Sequence, residues 1–481
     1  MSMSSLYALL PLVILACGVI VIMVQVAFFR RLRATVALTV LTFTVAALST
    51  LYAVEYTPLA VTPLLRADRL GLLFCSLFCV AATITALLSV DFLEKREDQP
   101  EEYFLLLLLS TLGACILACS VHLASLLLGL ELMSIALYAL IAYPDRSFLP
   151  LEAATKYLVL SGAASATALF GFALLYAATG TLGFFEIGIA LNTTDTRQSG
   201  LLIAAVMIVT GLGFKLSLVP FHLWTPDVYD GAPTPVTGFL ASVSKVAVFV
   251  VLLRWFVDAN LFRFDVLISC MSLIAVFSML AGNLLALMQT NLKRLLAYSS
   301  ISHMGYLVII FTVGADVQHR NLATEAAVFY LIAYTATTLA AFALLSIISS
   351  GDVKREHPQL RDVSGLLWHR PLLASMFLLS LLSLAGIPLT AGFIAKFYII
   401  SAAVSGSHWI LLASLVVGSG IGIYYYLRVI YYLARRPEEH PGKPPVPQGS
   451  LVRLIACGLI AGILVLGVLP QSLMSYLRST L

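Results

Sequence analysis

The sequence predicts an all-α polytopic membrane protein, and three observations carry that prediction. Of its 481 residues, 60% are hydrophobic and only 11% are charged, and the mean hydropathy is +1.00, a balance that soluble globular domains do not reach. Apolar runs of about 18–25 residues recur along the whole chain, each long enough to cross about 30 Å of hydrocarbon as a helix. Strands of a membrane barrel would be short and alternating, so a helical bundle is the class that remains.

The runs give about 14 transmembrane helices, at residues 6–28, 34–54, 70–91, 103–120, 122–143, 155–179, 200–219, 236–256, 264–288, 295–314, 325–350, 371–396, 404–433 and 451–472. The polar stretches 91–102, 351–370 and 434–450 read as loops, and none is long enough to release a separate soluble domain. The first run is too long for a cleaved signal peptide and lacks a basic start and a small-residue cleavage site.

Loop charges predict the orientation, because basic residues near helix ends stay on the cytoplasmic side. With the N-terminus outside, the inner loops hold Arg30, Arg31, Arg33, Lys95, Arg96, Arg146, Lys293, Arg294, Lys354, Arg355, Arg361, Arg370, Arg435, Arg436 and Lys443. The outer set is smaller: Arg66, Arg69, Arg197, Arg254, Arg263, Arg320 and Arg478. Both termini are therefore expected outside, and the net charge of +4 reflects topology rather than nucleic-acid binding.

The seven cysteines argue against redox chemistry in this chain. Cys75 with Cys79, and Cys115 with Cys119, stand one helical turn apart inside apolar spans, and no cluster-ligand spacing occurs. They read as small packing residues. The histidines form no facing pair suited to haem, and "GLGFKLS" lacks the second half of a dinucleotide fingerprint or a P-loop. No metal or cofactor site is expected here.

What remains is a sparse set of ionisable residues in apolar spans. Glu131 lies in "LLLGLELMSIAL", Lys156 in "AATKYLVLSGAAS", Lys215 in "GLGFKLSLVPFHLWTPD", Lys245 in "LASVSKVAVFVVL", His303 in "YSSISHMGYLVII" and Lys396 in "GIPLTAGFIAKFYII". A lysine at the centre of a bilayer helix costs about 2.5–3.5 kcal/mol on insertion scales, so each should face the bundle interior or a hydrated cavity. Structural roles compete with functional ones. Lys156, at a helix start, can snorkel to the interface, and His303 can be a satisfied core histidine.

Prolines mark two breaks. A proline pushes away the carbonyl four residues earlier, so Pro220 frees that of Leu216, beside Lys215, and Pro388 frees that of Leu384, before Lys396. Broken helices at membrane depth survive where protein or water satisfies the loose backbone. "GAPTPVTGFLASVSK" (231–245) and "GIPLTAGFIAK" (386–396) also share a Gly-x-Pro start, a Gly-Phe pair and a terminal lysine, a hint of duplication. Asp227 and Asp230 are expected to shape the loop after the first break.

The run "GLGFKLSLVPFHLWTPDVYDGAPTPVTGFLASVSK", with "QTNLKRLLAYSSISHMGYL" and "SLAGIPLTAGFIAKFY", closely resembles the antiporter-like subunits of bacterial respiratory complex I, the proton-translocating NADH-quinone oxidoreductase. The resemblance covers essentially the entire chain. Within that family, Lys396 stands where one member resembles this pattern with a glutamate, and the short stretch after the last span lacks the lateral helix of another.

The resemblance implies two inverted five-helix repeats, with broken helices near 220 and 388. It divides the chain into a three-helix segment (1–100), a first repeat (101–256), a second (257–433), and a last loop and helix (434–481). It makes Glu131 the charge-modulating acid paired with the proton-carrying Lys215, Lys245 a central connecting lysine, His303 a bridging group, Lys396 the exit-side lysine and Lys156 a supporting lysine. It places FMN, iron-sulfur clusters and quinone in partner subunits, with subunits M and K among the neighbours in a bacterial inner membrane. Protons would pass from the cytoplasm along Lys215, Lys245 and Lys396, driven by quinone reduction elsewhere. Two other functions share the motifs: a subunit of a multi-subunit cation/proton antiporter, and a non-pumping scaffold of a membrane arm.

Overall fold

Hydrocarbon offers no hydrogen bonds, so an apolar run that crosses it must bond its own backbone, and the computed structural model of the chain is correspondingly helical throughout. It describes residues 3–94, 99–143, 148–193, 199–349, 358–436 and 450–480. The loop residues Lys95, Arg96, Arg146, Arg197, Lys354, Arg355 and Lys443 lie outside the described residues.

The helices that matter below are α1 (Leu10–Phe28), α2 (Leu32–Ala53), α3 (Arg69–Leu93), α4 (Glu101–Cys119), α5 (Leu123–Ala142), α6 (Phe148–Thr179), α7 (Ser199–Lys215), α8 (Thr234–Asp258), α9 (Asp265–Leu287), α10 (Leu292–Val313), α11 (Arg320–Ser349), α12 (Pro371–Ala385), α13 (Ala391–Ser405) and α14 (Trp409–Ala434). Among the described residues eleven helices are long and apolar enough to cross a membrane, or twelve if the bent pair Arg453–Val468 and Pro470–Ser479 counts as one span. The expected spans 200–219 and 371–396 are shorter than that test. The first ends at Lys215, with Ser217 at φ 60, and the second splits at Gly386, with φ 83. Each break therefore begins before its proline, because the ring displaces the carbonyl four residues upstream.

The chain forms two compact units, one of residues 1–216 and 243–268, the other of 217–242 and 269–479. In the first, small residues let helices approach closely. A Cβ on Gly113 would lie 2.6 Å from the backbone nitrogen of Met133, and one on Gly211 would lie 2.7 Å from the Ala164 carbonyl, as membrane helices require when packing replaces the hydrophobic effect. In the second, α10 is buried over almost its full length.

One ion cluster ties the first unit together beside the start of α3. Asp68 caps α3 by accepting from Gly71 N at 2.8 Å. Its carboxylate also takes both ends of the Arg254 guanidinium, one at 2.8 Å, and Arg66 at 3.1 Å. Arg254, expected in an outer loop, is 2% exposed and donates to the Ala118 carbonyl at 2.8 Å. Lys293, expected in an inner loop, is likewise buried and donates to the Ala232 carbonyl at 2.8 Å.

Burial pushes the Asp68 carboxyl up, but the Arg254 charge, the Gly71 amide and Arg66 outweigh it and hold the group at about 2. Because the folded value lies below the unfolded one near 4, this stabilisation is complete above about pH 4 and is lost as pH falls toward about 2. Asp68→Asn should therefore cost about 2 kcal/mol at neutral pH. Thermal melts of the detergent-purified protein check it: the gap between wild type and variant should narrow as the pH is lowered, and a pH-independent gap would mean that shape rather than charge sets the loss.

Candidate functional site

In the first unit Lys215 is the last residue of α7 and is 4% exposed. Its ammonium donates to Ser134 Oγ on α5 at 2.8 Å and to Ser161 Oγ on α6 at 2.6 Å. Ser161 shares a 2.6 Å hydrogen bond with the Tyr138 hydroxyl, and the Tyr138 and Tyr157 rings meet edge to face with centroids 5.2 Å apart. Tyr157 lies beside Ser244, which immediately precedes Lys245. Lys245 is fully buried and follows a π-helical turn, Leu240–Ser244, a local widening often found at functional sites.

The sequence expectation pairs Glu131 with Lys215. In the structure the lysine bonds two neutral hydroxyls, while Glu131 Oε1 is buried with no hydrogen-bond partner. Ser165 Oγ, in the small cavity that Lys215 lines with Leu130, Ala168 and Gly211, is likewise unpartnered. Buried polar atoms of this kind are normally satisfied by ordered water.

Of the two positions left open for Lys156, interior or interfacial, it does not take the interior one. Its side chain is 43% exposed and pairs with Glu152 one turn earlier at 2.8 Å. As a neighbour near the start of α6 in the same direction, Glu152 can neutralise it at the helix surface.

In the second unit Lys396 is 7% exposed on α13. Its ammonium donates to the carbonyls of Leu384 at 3.1 Å and Ala385 at 2.8 Å, the end of α12 that Pro388 interrupts. The Tyr306 ring lies beneath it, 5.3 Å from nitrogen to centroid, a cation–π distance. His303 is buried, shares a 2.6 Å hydrogen bond with the Tyr330 hydroxyl, and also meets the Leu384 carbonyl that Lys396 uses. Asp227 pairs with Arg294 at 2.7 Å and Asp230 accepts from Asn291 at 2.7 Å, so both carboxylates are engaged in holding the loop after the first break.

The structure thus ties Lys215 to Ser134, Ser161 and Tyr138 in the first unit, where its ammonium hydrogen-bonds neither Glu131 nor Lys245, brings His303 and Lys396 together in the second, and leaves Lys156 at the surface. Sequence reasoning missed Ser134, Ser161 and Tyr138. Ser134 was within reach of that reasoning, since it stands three residues after Glu131 and shares its helix face; an ordinary serine in "LSGAAS" gives no such signal. Among the described residues no cluster of histidine, cysteine or acidic side chains could hold a metal ion.

Residues 120–422 match the family described as NADH:quinone oxidoreductase/Mrp antiporter, TM. NADH-quinone oxidoreductase subunit N of Methylococcus capsulatus is 48% identical over 467 residues, covering 95% of this chain and 94% of that protein. A chain of respiratory complex I from Thermus thermophilus, solved with bound aureothin, superposes with a TM-score of 0.83 at 33% identity, covering 97% of this chain and 99% of its own. A chain of the Mrp complex from Dietzia sp. reaches 0.85 at 20% identity, covering 100% and 97%, a likeness of fold alone.

Gly386 links the break to Lys396. Its φ of 83 is left-handed, and a Cβ there would lie 2.8 Å from Lys396 Cδ. Gly386→Ala should cost about 1–2 kcal/mol in backbone strain and displace the lysine. A lowered melting temperature of the purified protein checks this, and an unchanged melt would show that the turn relaxes.

Proposed function

Because this chain belongs to the transmembrane family shared by NADH:quinone oxidoreductases and Mrp antiporters, we propose that its Lys215 and Lys396 are the conditional charges of a proton-translocating membrane-arm subunit of NADH:quinone oxidoreductase. The observation that carries the reading is that both buried ammonium groups are held by neutral oxygens, two serine hydroxyls and two broken-helix carbonyls. Neither ammonium is hydrogen-bonded to a carboxylate, so losing its proton breaks no direct ion pair.

A proton leaving Lys215 passes to Ser161 Oγ while the serine's own proton moves to Tyr138, which releases its own to ordered water that carries it past Tyr157 and Ser244 toward Lys245. Glu131 acts by approaching or leaving Lys215, since a nearby carboxylate favours the charged form. By resemblance His303 and Lys396 continue the relay and Lys156 supports it. Electron transfer from NADH to quinone, with its FMN and iron-sulfur clusters, belongs to other subunits, and subunits M and K are the neighbours. The bacterial inner membrane is the setting, with both termini periplasmic. A cation/proton antiporter subunit is the second reading; its support is a likeness of fold at 20% identity, against 48% to a complex I subunit.

Proton pumping and quinone reductase activity, measured together in membrane vesicles with assembly followed on a native gel, test this. Lys215→Ala should leave assembly intact and lower both activities about tenfold or more, about 1.4 kcal/mol on the transfer step. Glu131→Ala should depress pumping in an assembled complex. Wild-type levels of both activities in Lys215→Ala would make the chain a scaffold.

A further inference from the structure

A span cut in two leaves two sets of loose ends: the last carbonyls of its first half and the first amides of its second. At the second break, Lys396 of α13 takes the Leu384 and Ala385 carbonyls at the end of α12. The amides at the start of α13 have the opposite need. Thr390 stands at the N-cap position, but its hydroxyl donates back to the Ile387 carbonyl at 2.7 Å and does not cap the helix. The cap comes from the other half of the span, where Ser383 Oγ accepts from Gly392 N at 3.1 Å. Ser383 is in turn oriented by α11. Thr337 gives its hydroxyl proton to the Ala333 carbonyl at 2.7 Å, so in the 3.1 Å bond between Thr337 Oγ1 and Ser383 Oγ the serine is the donor, and its lone pairs are left for Gly392. Ser383 is fully buried.

The two links share one face of α13, because Gly392 and Lys396 stand four residues apart. They meet neighbouring residues of α12, Ser383 on one side and Leu384 with Ala385 on the other. The halves come this close only because residue 392 has no side chain: a Cβ there would lie 1.8 Å from the Ser383 carbonyl oxygen. Each half-helix thus caps the other. The links differ in kind, however. An ammonium holds carbonyls more strongly than a neutral amine does, so that link weakens when the lysine gives up its proton. The bond from Gly392 to Ser383 joins two groups that stay neutral, and its strength does not depend on where the proton is.

We propose that Ser383 is a positioning residue for proton transfer at Lys396: its bond to Gly392 keeps the two half-helices in register while the lysine is neutral, so that the Leu384 and Ala385 carbonyls are in place when the proton returns. The inference rests on the reading of Lys396 as a proton carrier. Without the Ser383 hydroxyl, the ammonium is the one of these two links that remains, and each deprotonation loosens it.

Two measurements on the assembled complex test it. Hydrogen exchange of the peptide that contains Gly392, followed by mass spectrometry, reads the links themselves. Lys396→Met, a side chain that is never charged, should leave exchange near the wild-type rate, and Ser383→Ala should speed it a few-fold. The double variant should exchange faster than the product of the two single effects, since neither link is then left to replace the other. Pumping in membrane vesicles reads the consequence: Ser383→Ala should lower it several-fold, and Ser383→Thr, which keeps the hydroxyl, should restore most of it. A double variant no faster than the product, wild-type pumping in Ser383→Ala, or no rescue by Ser383→Thr overturns the proposal. If Ser383→Ala does not assemble, Ser383→Cys, whose sulfur is a weak acceptor, carries the same comparisons. Pumping by Lys396→Ala separates the two ideas: wild-type pumping there overturns the relay reading and this role with it, whereas lowered pumping there with a failed exchange or rescue result overturns the role of Ser383 alone.

Discussion

A positive charge placed in hydrocarbon must find its partners inside the protein, and the rest of this fold follows from how that is done for Lys215 and Lys396. Both lysines stand next to helix breaks. A continuous helix spends all its carbonyls on itself, so it has none for an ammonium; a helix stopped at Ala385 exposes its last carbonyls, and Lys396 takes two of them. The negative end of the helix dipole adds to the same attraction. At Lys396 the break and the charge therefore satisfy each other, and either alone would be an unpaired polar group at membrane depth, whereas Lys215 is satisfied by hydroxyls of two neighbouring helices.

Much of this was legible in the sequence because the controlling features are local. Span positions follow from the length of apolar runs, and the breaks follow from Pro220 and Pro388, whose effect reaches only four residues upstream. The carbonyl that Pro388 was expected to free, that of Leu384, is one that Lys396 binds. Where reasoning fell short, the missing information was tertiary. Nothing in the neighbourhood of Ser161 says that it meets a lysine 54 residues away, and nothing near Arg254 says that Asp68, 186 residues away, draws it inside. Lys156, at a helix start in an apolar span, left both an interior and an interfacial position open, and Glu152 one turn earlier, which settles the matter, is a surface partner.

Ser383 shows the same limit in another form. A serine in "LLSLAG" reads as one polar residue in an apolar helix. Its surroundings come from Thr337 on another helix and from the absence of a side chain at Gly392. A glycine that makes room for a contact of this kind has no signature of its own; it becomes informative only when the atom that would collide with its Cβ is known.

The contrast between Arg254 and the lysines explains why the two kinds of charge have different partners. Arg254 is always protonated, so it can be locked to Asp68 by charge-assisted bonds; nothing is asked of that pair except to persist. A lysine that alternates between charged and neutral, as proposed for Lys215 and Lys396, cannot be built that way. Were Lys396 locked to a carboxylate, each deprotonation would leave a buried anion, and the cost of breaking such a pair, about 3–5 kcal/mol, would be added to every transfer. Held by carbonyls and an aromatic face, the lysine loses only dipolar attraction when its proton leaves. Under the proposed relay Glu131 fits the same pattern: its Oε1 is buried without a hydrogen-bond partner, so it is not locked to Lys215 as Asp68 is to Arg254.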